Sequence, residues 1–556
     1  NFNFMKRIYD DWNKKELIEE IEILKKRKKY GLVWNNISED AVERCKKEFP
    51  FLDELESKKI INDNLLNPNL IIEGDNYHSL ACLNYTHKNK IDLIYIDPPY
   101  NTGARDWMYN NDYVVDEDPY RHSKWLSMMS NRLQLAKNLL SEDGVLICTI
   151  DKYEQPRLNL LLEEIFFDYE IVCITIVHNP AGTQGKNFSY TNEYAFFVFP
   201  KNGQYIAKTT RETDLESSFR DWGPISLRSH AKNCFYPIII KNMQIINFGD
   251  VCKDSFHPKS SNINNKDGTI SVYPISKEGE EKKWVFSRQN VEKIKDQLFI
   301  KKDKNQFSVF RKKSEASYKT VWEDKKFYAN VYGSNLLNQI IDSKFPFPKS
   351  LYATMECVKA VIHNKDNAII LDFFAGSGTT GHAVMQLNKE DNGKRSFILC
   401  TNNENKIAEK VTYERIKRVI NGYKNLKNKN KTVEGLGGNL RYFKSSFLPS
   451  LITDQSKSIF AKKMKSIICI KENTYIKFFE NKDYCVFSNN NQYTTIIFNN
   501  DKLDEIKDKI SNFKLHNKIY IFSLSNETHD EVFDEIEDKE LIPIPEEMIK
   551  IYKNIL

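Results

Sequence analysis

The chain has 556 residues, of which 40% are hydrophobic and 28% charged, and its formal net charge is +6. This length exceeds the size at which one hydrophobic core keeps growing, so we expect three or more modules, and the composition excludes a largely disordered chain. No apolar run approaches 18 residues and no signal-peptide pattern occurs, so we expect no membrane span and no secretion. The ten cysteines are widely spaced, which argues against a zinc knuckle and indicates reduced thiols in a cytoplasmic protein.

The N-terminal region, residues 1–65, is predicted to be helical. Residues 12–29 place leucines and isoleucines on one face among alternating charges, and residues 39–49 repeat the pattern. Residues 66–204 then alternate strand-like and helix-like segments and include a buried-strand run at 144–151. This alternation predicts an α/β fold with a largely parallel sheet and helices on both faces.

Within that segment, a strand-like run at 91–96 leads directly into Asp97, Pro98, Pro99 and Tyr100. The paired prolines force an extended exit from the strand, which holds the Pro98 carbonyl beside the Asp97 carboxylate. Two such acceptors can accept hydrogen bonds from the two hydrogens of an exocyclic amine. The aromatic ring of Tyr100 can stack on a base that has been extruded from a duplex. The alternative is a purely structural turn after a buried strand, in which Asp97 caps the turn and the Tyr100 ring packs against neighbouring residues.

A polar, glycine-containing loop follows at residues 179–186. Such a loop suits closure over a flipped base, and a plain surface loop is the alternative.

The middle of the chain, residues 205–345, loses the alternating pattern. Residues 277–326 contain fifteen Lys or Arg and nine Asp or Glu, interleaved with aromatic residues. This mixture is typical of surfaces that grip phosphates and read base edges, so the sequence predicts a DNA-binding insert. A solvated charged face is the alternative.

A second motif begins after the apolar run 368–371. It reads Asp372, Phe373, Phe374, Ala375, Gly376, Ser377, Gly378, Thr379, Thr380, Gly381. This is the pattern of a strand, a tight glycine turn and a helix start, where free N–H groups favour an anionic ligand group. The glycine spacing also fits a dinucleotide fingerprint, but a nicotinamide dehydrogenase would leave the motif at 97–100 without a role. Residues 439–556 mix strands and charged helices and predict a small α/β module, for which dimerisation, DNA contact and subunit docking are all open.

The two motifs, in this order, resemble those of the beta class of DNA adenine-N6 methyltransferases, which use S-adenosylmethionine. Residues 73–76, 101–103, 192–198 and 348–351 resemble further motifs of that family. Residues 30–34, the long form of the motif at 74–103, and the size are most similar to the Mod subunits of Type III restriction-modification systems. The resemblance covers about residues 25–200 and 345–425.

The resemblance implies an S-adenosylmethionine-dependent methyltransferase (Rossmann-like) domain made of a catalytic half, 66–204, and a cofactor half, 346–438. The region 205–345 would be an inserted target-recognition domain. Asp97, Pro98, Pro99 and Tyr100 would form the catalytic site, and no metal is required. The implied cofactor-binding residues are Asp75, Asn101, Thr102, Asp372, Phe373, Phe374, Gly376, Gly378, Thr379, Thr380 and Glu404.

Several of these residues have specific implied roles. Residues 373–378 would cradle the methionine end of the cofactor, with Asp372 near its ammonium group. Glu404 would contact the ribose hydroxyls and Asp75 the cofactor's adenine. For Asp75 and Glu404 a turn or a helix cap is the alternative.

The implied function is methyl transfer to adenine N6 in a short site of double-stranded DNA, in the cytoplasm of a prokaryotic cell. We expect a homodimer that reads an asymmetric site and binds a separate Res helicase-nuclease subunit. Three alternatives remain: a solitary adenine methyltransferase, a cytosine-N4 methyltransferase, and a specificity subunit with residual activity. The cytosine enzymes of this family tend to carry Ser at the first motif position, so Asp97 favours adenine.

Overall fold

The computed structural model describes residue 14 and residues 34–64, 66–304, 306–343, 345–449, 453–525, 527–544 and 548–549. The helix predicted over residues 12–29 therefore lies outside the described residues, apart from residue 14. Residues 208–318 form one compact unit, and the remaining residues form the other. In the part of the chain that the structure describes, no helix combines the length and apolar character needed to cross a membrane.

Residues 66–204 alternate strands with helices, as predicted, whereas residues 34–65, predicted to be helical, contain a short helix and a strand. The helices are α1 (Asp40–Cys45), α2 (Asn76–Thr86), α3 (Arg121–Lys137) and α4 (Gln155–Ile165). The strands are β1 (Phe49–Glu54), β2 (Asn69–Glu73), β3 (Ile91–Ile96), β4 (Ala104–Tyr109), β5 (Asp112–Val115), β6 (Leu140–Ile150), β7 (Tyr169–Val177), β8 (Thr183–Gln184), β9 (Ser189–Tyr190) and β10 (Asn192–Pro200).

The unit at 208–318 is built mainly from strands. They are β11 (Lys208–Ser218), β12 (Ile238–Lys241), β13 (Gln244–Phe248), β14 (Asn262–Asn264), β15 (Ile270–Val272), β16 (Leu298–Asp303) and β17 (Gln306–Ser317). They form a three-stranded sheet, β11-β17-β16, and a four-stranded sheet, β13-β12-β15-β14. Phe219 stacks on the buried Trp284 in a core of its own, and the one α-helix among this unit's described residues is the short α5 (Arg288–Val291).

The rest of the chain returns to alternating elements. The helices are α6 (Leu336–Ile340), α7 (Leu351–Ile362), α8 (Thr379–Asp391), α9 (Glu414–Asn421), α10 (Asp454–Lys463), α11 (Lys465–Glu472), α12 (Leu503–Ile510) and α13 (Asp530–Phe533). The strands are β18 (Val321–Trp322), β19 (Ile369–Asp372), β20 (Ser396–Thr401), β21 (Tyr423–Lys424), β22 (Thr432–Val433), β23 (Leu440–Leu448), β24 (Ile476–Glu480), β25 (Tyr484–Ser488), β26 (Gln492–Ile497), β27 (His516–Phe522) and β28 (Lys539–Ile544).

A ten-stranded sheet organises the larger unit, in the order β1-β23-β2-β20-β19-β3-β6-β10-β7-β18. The six strands from β23 to β6 run parallel, while β1 and β10 join the two ends of this set antiparallel. The helices α2, α3 and α4 pack together in one group, and α7, α8 and α9 pack in another. The α/β class with a largely parallel sheet is thus confirmed.

The central strands read as continuous apolar runs because both of their faces are covered. Leu93, Ile94, Ile370 and Leu371 are fully buried. The register pairs Leu93 with Ile370 and Ile94 with Leu371, so the two halves of the chain meet inside the sheet.

Three strands lie in this sheet although the sequence places them in other modules. Strand β1 comes from the N-terminal region predicted to be helical, β18 from the end of the predicted insert, and β23 from the start of the predicted C-terminal module. Each of these strands lies at or near one end of the sheet. It belongs to this sheet because it pairs with a strand that is distant in sequence.

The C-terminal sheet, β24-β25-β26-β27-β28, is separate and packs α12 and α13 against its own core. Helix α11 connects it to the larger sheet, because this helix contacts both α2 and β26.

Candidate active site

The two motifs lie at the carboxyl ends of neighbouring parallel strands, β3 and β19. The chain leaves β3 toward β6 on one side, and it leaves β19 toward β20 on the other. This reversal opens a crevice at the carboxyl edge of a parallel sheet, which is the usual ligand site of such folds. The motif at 97–100 and the motif at 372–381 therefore share one crevice although they are far apart in sequence.

Asp97 follows β3 and is held from both neighbouring elements. Thr149, near the end of β6, donates a hydrogen bond from Oγ1 to Oδ1 of Asp97 at 2.7 Å. The ammonium of Lys349 lies 3.3 Å from the same oxygen. Burial raises the pKa of Asp97, and the opposing effect of the Lys349 cation is not large enough to bring the pKa back to its ordinary value.

The prolines and Tyr100 are also fixed in position. The indole N–H of Trp125 donates to the Pro99 carbonyl at 2.7 Å, so this contact does not compete for the Pro98 carbonyl. The Tyr100 hydroxyl donates to Oε2 of Glu193 at 2.9 Å. Both the ring and the carboxylate beside it are thereby oriented before any ligand binds.

Lys349 joins these groups into one largely buried cluster. Its ammonium contacts the Glu193 carboxylate and the Tyr100 hydroxyl, and it lies 4.5 Å from the centroid of the Tyr100 ring. Burial alone lowers the pKa of Lys349, but Asp97 and Glu193 outweigh burial and raise it. Burial raises the pKa of Glu193, but the Lys349 ammonium more than compensates and the net pKa is lowered.

Asn101 anchors the segment after Tyr100. It has a φ of 56°, its side-chain amide donates to Oε1 of the buried Glu154 at 2.5 Å, and its Oδ1 accepts from the Trp107 indole at 3.0 Å. Thr102 accepts from the backbone N–H of Ala104 at 3.2 Å. The Asn101 side chain is thus used for protein contacts, and a cofactor role for Asn101 and Thr102 stays a prediction.

The turn after β19 contains a buried carboxyl. Asp372 accepts from Thr380 Oγ1 at 2.6 Å and from the backbone N–H of Phe374 at 3.0 Å. Burial, with a smaller contribution from the charge of Asp97, raises the pKa of Asp372 to about 7 despite the hydrogen bonds from Thr380 and Phe374. The side chain of Thr380 is therefore turned toward Asp372.

The glycines of this turn adopt left-handed backbone conformations. Gly376 has a φ of 49° and Gly378 a φ of 75°, and a Cβ added to Gly378 would be 3.3 Å from Thr412 Cγ2. Helix α8 begins immediately afterwards at Thr379, whose hydroxyl accepts from the buried Arg415 at 2.8 Å. The predicted strand, glycine turn and helix start are all present.

Asp75 and Glu404 lie at the same edge of the sheet, after β2 and β20. Asp75 caps α2 by accepting from the Tyr77 N–H at 2.8 Å, and it lies 3.3 Å from Arg132. Glu404 starts a short turn and accepts from the Tyr113 hydroxyl at 3.3 Å. Both side chains have protein partners, so their cofactor roles stay predictions.

Sequence reasoning assigned no roles to the residues that hold the site together. These are Thr149, Glu193, Lys349, Trp125, Glu154 and Arg415. Two signals were visible: Glu193 is an acidic residue at the start of an otherwise apolar strand, and Lys349 directly precedes the Ser350 cap of α7.

Comparisons with known proteins agree with this geometry. Residues 91–414 match the family described as DNA methylase. The chain is 31% identical over 365 residues to the Type II methyltransferase M.KpnI of Klebsiella pneumoniae, covering 61% of this chain and 82% of that protein.

Two Type III restriction-modification Mod subunits are also similar. The chain is 28% identical to the EcoPI Mod subunit of Escherichia phage P1, covering 70% of this chain and 66% of that protein. It is 27% identical to the StyLTI Mod subunit of Salmonella typhimurium, covering 64% and 56%. The chain thus spans less than two thirds of the length of these Mod subunits.

Among solved structures, the M1.HpyAVI–SAM complex matches with a TM-score of 0.29 and 13% identity, covering 63% of this chain and 98% of that one. TTHA0409 of Thermus thermophilus, complexed with S-adenosyl-L-methionine, matches with a TM-score of 0.30 and 12% identity, covering 66% and 98%. Because the family match includes both motifs and more than half of the chain, the chain belongs to the DNA methylase family.

Proposed function

We propose that the chain transfers a methyl group from S-adenosylmethionine to N6 of adenine in a short site of double-stranded DNA. The observation that carries this proposal is the adjacency of β3 and β19, which brings an amine-holding motif and a glycine turn into one crevice. The Mod relatives support its assignment as the modification subunit of a Type III restriction-modification system.

The turn after β19 fits the methionine end of S-adenosylmethionine. Asp372 offers a buried carboxyl to an ammonium group, and the start of α8 offers free N–H groups to a carboxylate. Phe373, Phe374, Gly376 and Gly378 form the turn between these two groups. When bound, this cofactor supplies a methyl group that is already activated on a sulfonium.

The remaining work of the site is to hold and orient the amine. Asp97 and the Pro98 carbonyl accept the two amine hydrogens, which turns the nitrogen lone pair outward, and Tyr100 stacks on the flipped ring. Because the methyl donor is activated, alignment matters more than a strong base, and orientation supplies several kcal/mol of the barrier. Thr149 and Trp125 provide that alignment by fixing Asp97 and Pro99.

The unit at 208–318 is the proposed reader of DNA, within the predicted insert 205–345. It carries exposed apolar side chains beside basic ones. The Trp222 side chain is 65% exposed, and the guanidinium of Arg220 lies 4.2 Å from its ring centroid. Such a pair suits both phosphate contact and base stacking. We further propose a homodimer that binds a Res helicase-nuclease subunit.

The Klebsiella relative favours a second candidate, a methyltransferase that acts without a restriction subunit. Both candidates predict the same chemistry and differ only in partners. Purification of the tagged full-length chain from its native host separates them, because a Type III enzyme is expected to co-purify with a helicase-nuclease.

The test of the chemistry is transfer of radiolabelled methyl groups from S-adenosylmethionine to duplex DNA, followed by nucleoside analysis. N6-methyladenine is the expected product. N4-methylcytosine as the sole product would replace the adenine assignment, and no transfer by the folded chain would favour a specificity subunit.

A further inference from the structure

A lysine ammonium lies where the proposed function needs the target amine. Lys349 Nζ is 3.3 Å from Oδ1 of Asp97 and 4.5 Å from the centroid of the Tyr100 ring. Its side chain is only 12% exposed. One cation therefore contacts both the carboxylate and the ring that are assigned to the flipped base.

The same cation has a second, independent anchor. Glu193, on β10, contacts the Lys349 ammonium and also accepts the Tyr100 hydroxyl. The backbone before α7 is fixed, because Ser350 caps this helix at Ala353 and donates to the Lys326 carbonyl at 2.9 Å. The flexible lysine stem can release Asp97 while the ammonium stays on Glu193.

We propose that Lys349 is an exchangeable counter-ion of Asp97: its ammonium contacts the Asp97 carboxyl group in the DNA-free protein and is replaced there by the exocyclic amine of the flipped base. Lys349 is then a positioning residue, and Glu193 retains it during the exchange. This inference rests on the proposed function, because it assigns the same crevice to the target base.

The exchange gives the site a chemical selectivity. A base that presents an amine restores a donor to Asp97 once Lys349 has moved away. A base that presents a carbonyl at the same position sets two acceptors against each other and leaves the Asp97 carboxylate without its cation, which is costly. Lys349 thus selects for an amine over a carbonyl at the purine 6-position.

The surrounding titratable groups do not supply another cation for Asp97. Burial raises the pKa values of Tyr95, Tyr100, Cys148 and Cys357, so these groups stay neutral near pH 7. Asp372 and Glu193 are acidic, and His178 lies on the Glu193 side. Among the described residues around Asp97, Lys349 is the cation that contacts it.

A binding experiment without a methyl donor tests the exchange. Duplexes carry either adenine or hypoxanthine at the target position, and their affinities are measured for the wild type, Lys349→Met and Lys365→Met. Lys365 is the matched control, because it pairs with Asp92 at 3.0 Å near the other end of β3. Any difference in duplex stability is common to the three proteins.

We expect the wild type and Lys365→Met to prefer the adenine duplex by about tenfold or more, and Lys349→Met to lose most of that preference. Without Lys349 the pKa of Asp97 rises further, which favours the protonated carboxyl, and that form donates a hydrogen bond to a carbonyl. Glu193→Gln should weaken the binding of both duplexes, because Lys349 then pairs with Asp97 alone and is harder to displace.

The pH profile of kcat is a second measurement, and it would not change if Lys349 had only a structural role. In Lys349→Met the acid limb should shift by about one pH unit or more to higher pH, since the carboxylate has lost its nearest cation. Lys365→Met should leave the limb in place. Circular dichroism and thermal melting verify that each variant is folded.

A Lys349→Met protein that keeps both the adenine preference and the wild-type acid limb would overturn the proposal. Failure of the wild type to methylate any DNA is a different result, because it overturns the proposed function, on which this inference rests. If Lys349→Met does not fold, the Glu193→Gln measurements decide, and unchanged binding of both duplexes there would equally reject the exchange.

Discussion

Thr149 and Asp97 are joined by a hydrogen bond of 2.7 Å from Thr149 Oγ1 to Oδ1 of the carboxylate. The same hydroxyl lies 3.2 Å from the carbonyl of Ile96. A strand outside either motif therefore sets the orientation of the proposed amine acceptor. The parallel pairing of β3 with β6, which aligns Ile96 with Cys148, makes this contact possible.

Replacing Thr149 with Val should lower kcat about tenfold or more, because the partly buried Asp97 carboxylate loses one of its two donors and is held less firmly. Cofactor affinity should change little, since Thr149 is on the β6 side of the crevice. Steady-state methyl transfer and calorimetry measure the two effects. Thr149→Ser keeps the hydroxyl and should recover most of the rate; a dead Ser variant would assign the effect to packing.

Asp97→Ala and Tyr100→Ala should abolish methyl transfer while folding and cofactor binding persist, because these side chains hold and stack the base. Tyr100→Phe should be milder, although it removes the 2.9 Å contact to Glu193. Methyl transfer, circular dichroism and cofactor titration are the measurements. Retained transfer by Asp97→Ala would refute the role assigned to this carboxylate.

Gly376→Val and Gly378→Val should remove S-adenosylmethionine binding, because a side chain is strained at positive φ and blocks backbone approach. Gly378→Ala is a finer test, since its Cβ would lie 3.3 Å from Thr412. Gly279→Ala is the matched control: its φ is 86°, but nothing lies within 4 Å of the added Cβ. Equal calorimetric affinities for the two Ala variants would contradict the placement of the cofactor.

The affinity for S-adenosylmethionine should rise with pH through the neutral range. Burial raises the pKa of Asp372 to about 7, and an ammonium ligand prefers the ionised carboxyl. Calorimetry between about pH 6 and pH 8 should therefore show an increase of up to about tenfold, and Asp372→Asn should flatten it.

The same group affects stability with the opposite sign. A carboxyl whose pKa is raised on folding stabilises the fold at low pH, and this contribution is lost as the pH rises toward about 7. Thermal melting of the cofactor-free protein should therefore show a smaller loss of stability between about pH 5 and pH 8 for Asp372→Asn than for the wild type.

The proposed homodimer should methylate one strand of an asymmetric site, with one protomer reading the site and the other modifying adenine. Light scattering and sequencing of modified DNA test the two parts separately. A fully active monomer would exclude the dimer. Methylation of both strands of a palindrome would exclude the asymmetric site and leave adenine methylation standing.

The α/β class and the two motifs could be predicted from local sequence features alone, and the chemistry assigned to the motifs stays a prediction. The two motifs occupy four and ten consecutive residues, and their proposed chemistry depends on local features: two prolines, a carboxylate, an aromatic ring, and closely spaced glycines. Such features are visible without knowing the fold. The alternation of strands and helices is equally local, and it predicted the parallel sheet.

Which distant residues share the site could be read only from the folded chain. Glu193 and Lys349 are 156 positions apart, and Lys349 and Tyr100 are 249 apart. Their contacts depend on the antiparallel addition of β10 beside β6 and on the placement of α7, neither of which leaves a local signature. The same reason explains why β1, β18 and β23 joined the large sheet: a short apolar run specifies a strand, but the partner strand specifies its sheet.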